Sequence, residues 1–265
     1  MKTILLCLHG WGGSKESFTE LREALHHSLR SDSGQAIKGA DLQILTPDLP
    51  GFGDEPEPDR PWTTDDYADW VVKWFTNKRI NELTSRRFFL LGHSHGGRIA
   101  IKLAARLAIQ PSNHPTIPID HLFLCAPAGI RHPRHFKRIL GLMLAKTGKF
   151  FLSIPGLNLL QPLGKKFLYT LVRVHDYEQA SPVMRETLIK VSAEDLRPFL
   201  PLIAIPTSIF WGDADRMTPV SDASEMQRLL PGSKIRIFRG VRHDVHRVCA
   251  REIGKEILLQ ISRNH

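Results

Sequence analysis

Six short apolar runs, most of them apolar almost throughout, constrain the fold of this chain more than any other feature: Thr3–Leu8, Leu42–Thr46, Arg87–Leu91, His121–Cys125, Thr207–Trp211 and Lys234–Phe238. Runs of this length that do not alternate polar with apolar residues suit strands covered on both faces, the condition of a parallel sheet. Helical patterns lie between them. Thr63-Thr64-Asp65-Asp66 offers an N-cap followed by acids in a first turn, and Tyr67, Trp70, Val71 and Trp74 then recur at helical spacing on one face. Ile99, Leu103, Ala104 and Leu107 form a second stripe, while Val220–Leu230 and Asp244–Ile261 supply two more candidate helices. Strand and helix alternate. The expected fold is therefore α/β, a doubly wound, mostly parallel six-stranded sheet with helices on both faces.

The alternation stops between about Ala128 and Pro206, where helical stretches are broken at Gly141, Gly148, Pro155-Gly156, Pro162-Leu163-Gly164 and Pro182. A plain loop of that length does not occur in a compact domain. The interval predicts a helical cap over residues 128–206, inserted between the fourth and fifth strands, with 1–127 and 207–265 forming the core.

The start of the chain, Met1-Lys2-Thr3-Ile4-Leu5-Leu6-Cys7-Leu8, imitates a secretory signal, but the apolar run is short and passes directly into His9-Gly10-Trp11-Gly12-Gly13 without a small-residue cleavage site. It reads as a buried first strand. No apolar stretch is long enough to span a membrane. The cysteines Cys7, Cys125 and Cys249 are odd in number and far apart, and Cys7 and Cys125 sit in apolar runs. That pattern fits buried thiols in a reducing, cytoplasmic setting rather than a disulfide framework.

Gly92-His93-Ser94-His95-Gly96-Gly97 contains Gly-x-Ser-x-Gly. The pattern is weak alone but gains meaning from its setting, a strand immediately before it and a helix immediately after. Such a turn holds the serine in a strained backbone conformation, needs glycine where chains approach closely, and turns a helix N-terminus toward developing negative charge. A serine hydroxyl needs a base, and an imidazole base needs an acid to orient it. Trp211-Gly212-Asp213-Ala214-Asp215-Arg216-Met217-Thr218-Pro219 follows the fifth strand and Gly240-Val241-Arg242-His243 follows the sixth, so serine, acid and histidine fall in the order this architecture uses. Asp215 is favoured over Asp213 from its place in the motif. His243 is favoured over His246 because it lies nearer the strand end. The glycine-rich loop after the first strand would supply an oxyanion hole, with the backbone N–H groups of Trp11 and His95 as its donors.

These segments, together with Asp48-Leu49-Pro50-Gly51-Phe52-Gly53, make the chain resemble the α/β-hydrolase family over nearly its whole length. Within it, the His-Gly-Trp-Gly start is similar to that of small carboxylesterases, including the pimeloyl-ester esterases of biotin synthesis. The resemblance implies a serine hydrolase that cleaves carboxylic esters through an acyl-enzyme, with Ser94 as nucleophile, His243 as base and Asp215 as orienting acid. Carbon–carbon hydrolases of keto-acid ring-cleavage products look alike at this level, and a non-catalytic ligand-binding protein of the same fold is a further alternative. Members that use an aspartate nucleophile are disfavoured by Ser94. One departure is Arg242, which stands directly before His243 where the family commonly shows Gly-x-Gly-His.

The net charge of +9 is concentrated. Between Ala128 and His175 stand Arg131, Arg134, Lys137, Arg138, Lys146, Lys149, Lys165, Lys166 and Arg173, with no acid among them. Phe136, Ile139, Leu140 and Met143 interleave at helical spacing and Phe150, Phe151 and Leu152 follow, giving an amphipathic cap with Phe136, Met143 and Phe151 as candidates to line an acyl pocket. A basic outer face would accommodate an anionic partner such as an acidic carrier, a lipid surface or a carboxylated substrate. No nucleic-acid module accompanies the charge. None of the thirteen histidines falls in a metal-ligand spacing, so neither metal nor cofactor is expected.

Overall fold

A computed structural model describes residues 2–30, 41–77, 86–109, 119–132 and 180–263. Its centre is a six-stranded sheet in the order β2-β1-β3-β4-β5-β6, formed by β1 (Lys2–Leu8), β2 (Asp41–Leu45), β3 (Arg86–His93), β4 (Ile119–Cys125), β5 (Thr207–Gly212) and β6 (Lys234–Phe238). Every neighbouring pair is parallel. All six apolar runs are strands. The interior ones are buried as continuous apolar runs require: Ile4 to Leu8, Phe88 to Leu91, Leu122 to Cys125 and Ile209 to Trp211 are all sealed from solvent. The sixth differs from expectation. It is an edge strand with only β5 beside it, and Lys234, Arg236 and Ile237 are exposed.

The chain adds strands in one direction from β1 to β2 and in the other from β3 onward. Right-handed crossovers then put the connecting helices on opposite faces. On one face α1 (Thr19–Arg30) packs against the C-terminal helix α7 (Ala250–Arg263); on the other α2 (Thr64–Asn77) packs against α3 (His95–Ile109). α4 (Pro182–Ala193), α5 (Val220–Leu229) and the short α6 (Val245–Val248) complete the described helices. The span expected as one C-terminal helix is thus two, with the break at Cys249.

Thr63 and Asp66 cap α2 reciprocally: the Thr63 N–H donates to Asp66 Oδ2 at 2.7 Å, and the Asp66 N–H donates to Thr63 Oγ1 at 3.3 Å. The buried face of α2 is Tyr67, Ala68, Val71, Val72 and Phe75. Trp70 and Trp74 lie at its margin and stack on each other, because the helix rolls toward the smaller Ala68 and Val72. Helix α3 is buried almost all round as far as Ala105, with Ile99, Leu103 and Ala104 inside and Leu107 half-buried. Cys7, Cys125 and Cys249 are free and buried; burial pushes the thiols of Cys7 and Cys125 far above their ordinary range.

Only the two ends of the inserted segment are described. They meet over the core, where the Leu196 N–H donates to the Gly129 carbonyl at 2.8 Å, and Leu196, Leu200 and Ile203 join the same buried cluster as the sheet. Helix α4 rests on the loop that follows β2, with the Trp62 N–H donating to Thr187 Oγ1 at 3.0 Å and Met184 seated against Gly51. Phe136, Met143, Phe151 and the basic residues from Arg134 to Arg173 lie outside the described residues.

Candidate active site

Loops at the carboxyl ends of β1, β3, β5 and β6 bring together most of the residues singled out from the sequence. This is the end of an open parallel sheet where the reversal of strand order, on either side of β1, leaves a crevice. Strand β3 runs two residues further than its apolar run, through Gly92 and His93, because Gly92 pairs with Leu8 on one side and Leu124 on the other. Ser94 then sits in the turn with φ of 52°, in the left-handed region that a side chain rarely adopts. The strain is held from several sides: the Ser94 N–H donates to the Cys125 carbonyl at 3.1 Å, and its own carbonyl accepts from Arg98 at 3.1 Å and Ala128 at 2.9 Å. Glycine is required around it. A Cβ at Gly96 would lie 2.0 Å from the Leu8 carbonyl oxygen, and one at Gly92 would lie 2.5 Å from the Gly96 carbonyl oxygen.

The loop His9–Gly13 abuts this turn; a Cβ at Gly10 would stand 3.2 Å from the Ser94 Cβ. His9 shapes the loop. Its Nδ1–H donates to the Gly10 carbonyl at 2.8 Å, and its Nε2 accepts from the Leu49 N–H at 2.9 Å, which fixes one neutral tautomer and joins the loops after β1 and β2. Burial lowers the basicity of that ring. The rings of Trp11 and His95 meet edge to face at 5.4 Å, with Phe52 against Trp11 and Tyr67 against His95. Neither the Trp11 nor the His95 backbone N–H has an acceptor among the described residues.

The two aspartates of the acid loop differ sharply. Asp215 is buried and accepts four hydrogen bonds: Oδ1 from the N–H groups of Met217 at 2.7 Å and Thr218 at 3.1 Å, Oδ2 from His243 Nδ1 at 2.7 Å and Thr218 Oγ1 at 2.8 Å. Burial alone would raise its pKa, but these bonds together outweigh it and hold the carboxyl below its ordinary value. Asp213 is exposed and accepts the Gly240 N–H at 2.6 Å, a bond that braces the loop after β6. With Nδ1 of His243 committed to Asp215, its Nε2 is the basic nitrogen; it is buried and has no partner among the described residues. His246 is buried behind His93, with ring centroids 3.8 Å apart, and burial followed by the neighbouring His243 and Arg247 lowers its pKa to about 3. Arg242 is exposed.

Thr218, which caps the acid loop from three residues away and also lies 3.3 Å from His243 Nδ1, had no signal in the sequence beyond its place after Asp215. His9 and His93 stand inside the motifs, yet nothing in their spacing marks them as loop connectors. Among the described residues no group of His, Cys, Asp and Glu converges as metal ligands, and no helix is long and apolar enough to cross a membrane.

A parallel sheet of this order, with a strained serine after its third strand and a histidine–aspartate pair after its last two, defines a hydrolase architecture. The model of the alpha/beta hydrolase family matches residues 5–252, and the chain belongs to that family. It is 27% identical to the AB hydrolase superfamily protein YisY of Bacillus subtilis over 90% of this chain and 84% of that one. It is 22% identical to Lipase 1 of Psychrobacter immobilis, covering 90% of this chain and 70% of the relative. Among solved structures, an esterase from Exiguobacterium antarcticum superposes with a TM-score of 0.63 at 21% identity, over 97% of this chain and 91% of that one.

Proposed function

We propose that the chain hydrolyses carboxylic esters through an acyl-enzyme, with Ser94 as nucleophile, His243 as general base and Asp215 as the acid that fixes the imidazole. The observation that carries this reading is the 2.7 Å bond between His243 Nδ1 and Asp215 at the sheet end that bears the strained Ser94 turn. That bond sets the tautomer in which Nε2 keeps its lone pair, the form a base requires. The relatives named as lipase and esterase support an ester as the bond cleaved.

In this scheme His243 Nε2 takes the Ser94 hydroxyl proton as Oγ bonds to the ester carbonyl carbon. The carbonyl oxygen becomes an oxyanion and accepts hydrogen bonds from the Trp11 and His95 N–H groups. As the tetrahedral intermediate collapses, the ester C–O bond breaks and the imidazolium returns its proton to the departing alkoxide. Water then repeats the sequence on the acyl-serine, giving the carboxylic acid and free Ser94. Asp215 stays ionised throughout, and its charge stabilises the transient imidazolium. The half-buried rings of Trp11 and Phe52 give the entrance an aromatic wall.

Hydrolysis of p-nitrophenyl esters from acetate to laurate, with Ser94→Ala beside the wild type, tests the proposal. Serine-dependent turnover with a chain-length optimum is expected. Turnover that survives Ser94→Ala contradicts it. Loss of all simple esters with Ser94 still reactive narrows the substrate to a carrier-bound ester or a keto acid cleaved at carbon–carbon.

A further inference from the structure

His93 touches three of the loops the scheme uses, yet has no part in it. The residue ends β3, paired with Cys125, and leads directly into Ser94. Its buried ring donates from Nε2–H to the backbone carbonyl of His243 at 3.1 Å. One side of the ring lies on His246 at 3.8 Å between centroids, tilted by 31°. The Nδ1 edge faces the loop after β1: a Cβ at Gly10 would come within 2.9 Å of Nδ1 and 3.2 Å of Cε1. So one imidazole spans the oxyanion loop, the serine turn and the base loop.

The chemistry of the ring makes that contact directional. Burial, with His246 and His243 as further causes, holds the His93 pKa well below the ordinary value, so the ring is neutral and has a single N–H. Only the tautomer with the proton on Nε2 can donate to a carbonyl. Proton transfer between a serine and its base needs heavy atoms within about 2.6–3.2 Å, and a displacement near 1 Å costs about 10²-fold in rate. A loop that carries the base on its backbone gains from a tether at the base residue itself.

We propose that His93 is a positioning residue for the base: its Nε2–H holds the His243 backbone, and its ring fixes the spacing between the Gly10 and His243 loops. The proposal rests on His243 being the base. His93→Gln places an amide nitrogen where Nε2 stood, whereas His93→Asn ends near the Nδ1 position and His93→Phe fills the space without a donor. Relative to wild type, kcat on the best p-nitrophenyl ester should fall about 10–100-fold in the Phe and Asn variants, with KM within about 3-fold. The Gln variant should recover to within about 5-fold of wild type, and the rate of fluorophosphonate labelling of Ser94 should follow kcat across the series. Wild-type kcat in His93→Phe, or equal losses in Gln and Asn, overturns the proposal. Should the variants fail to fold, long-range proton–nitrogen correlation spectra of histidine-labelled wild type still decide it: His93 protonated on Nε2 is required, and protonation on Nδ1 overturns it. Ser94→Ala and His243→Ala run alongside separate the two levels. If they abolish activity while His93→Phe does not, only the positioning role fails; if they retain it, the reading of the site fails first.

Discussion

Exchanging Asp215 for asparagine removes one charge and one acceptor from a carboxylate that uses all of its bonding capacity. The single amide oxygen can serve one side of the site only. If it takes the Met217 and Thr218 N–H groups, bonded to Oδ1 at 2.7 and 3.1 Å in the wild type, the amide nitrogen faces His243 Nδ1 donor to donor. The imidazole then has to shift its proton to Nε2, and the base is lost. If the amide turns round, two part-buried N–H groups lose their acceptor, at up to about 1–3 kcal/mol each. The first arrangement is therefore the one adopted. Loss of the correct tautomer lowers kcat by about 10³–10⁴-fold, or about 4–5.5 kcal/mol of transition-state stabilisation, with KM within about 3-fold. Asp213→Asn keeps an oxygen for the Gly240 N–H in an exposed position, and should cost less than about 3-fold. Steady-state kinetics on one p-nitrophenyl ester compares the two. Equal losses in both variants, or Asp215→Asn retaining more than about a tenth of wild-type kcat, would refute the assignment.

Thr218→Val deletes the hydroxyl that donates to Asp215 Oδ2 at 2.8 Å and leaves the shape of the side chain. A loss of about 10-fold in kcat is expected, near the worth of one hydrogen bond to a charged group, with little change in melting temperature; unchanged kinetics would leave Thr218 without a role in the site. Stability should fall with acidification below about pH 6.5. His121 and His246 are held at about 4 and about 3 in the folded chain, and His93 and His95 lie well below the usual value, in each case chiefly through burial. Their folded-state pKa values are depressed, so the unfolded chain binds the extra protons. The associated stability is complete above pH 6.5 and is lost as pH drops toward 3, by about 1.4 kcal/mol per pH unit for each ring that stays neutral. Urea unfolding at pH 7, 6 and 5 reads this slope; a flat or rising profile would contradict the burial of these rings.

The sheet was legible because its strands are covered on both faces and carry the apolar runs that such burial demands. β6 departs from that rule as an edge, and its register was still marked by Ile235 and Phe238, half-buried beside β5. The serine turn was legible for a steric reason: glycine stands at Gly92 and Gly96, where any side chain would strike backbone. The difference between Asp215 and Asp213 was visible only as a place in a motif, since what separates them is which one the fold buries against His243. Thr218, His9 and His93 were not legible as parts of the site. Their contacts join loops from different strands, as when His93 reaches His243 across 150 residues of chain, and no local pattern records such a meeting. The rolled face of α2 has the same origin, because packing against α3 and not periodicity chose Ala68 and Val72 over Trp70 and Trp74.

Reaction with a fluorophosphonate, followed by intact mass and peptide mapping, tests the central claim most directly. The strained turn, the His243–Asp215 pair and the N–H groups of Trp11 and His95, which have no acceptor among the described residues, predict a single adduct on the peptide that carries Ser94, absent in Ser94→Ala and strongly slowed in His243→Ala. A folded wild-type protein that forms no adduct, or forms it at another residue, would contradict the account.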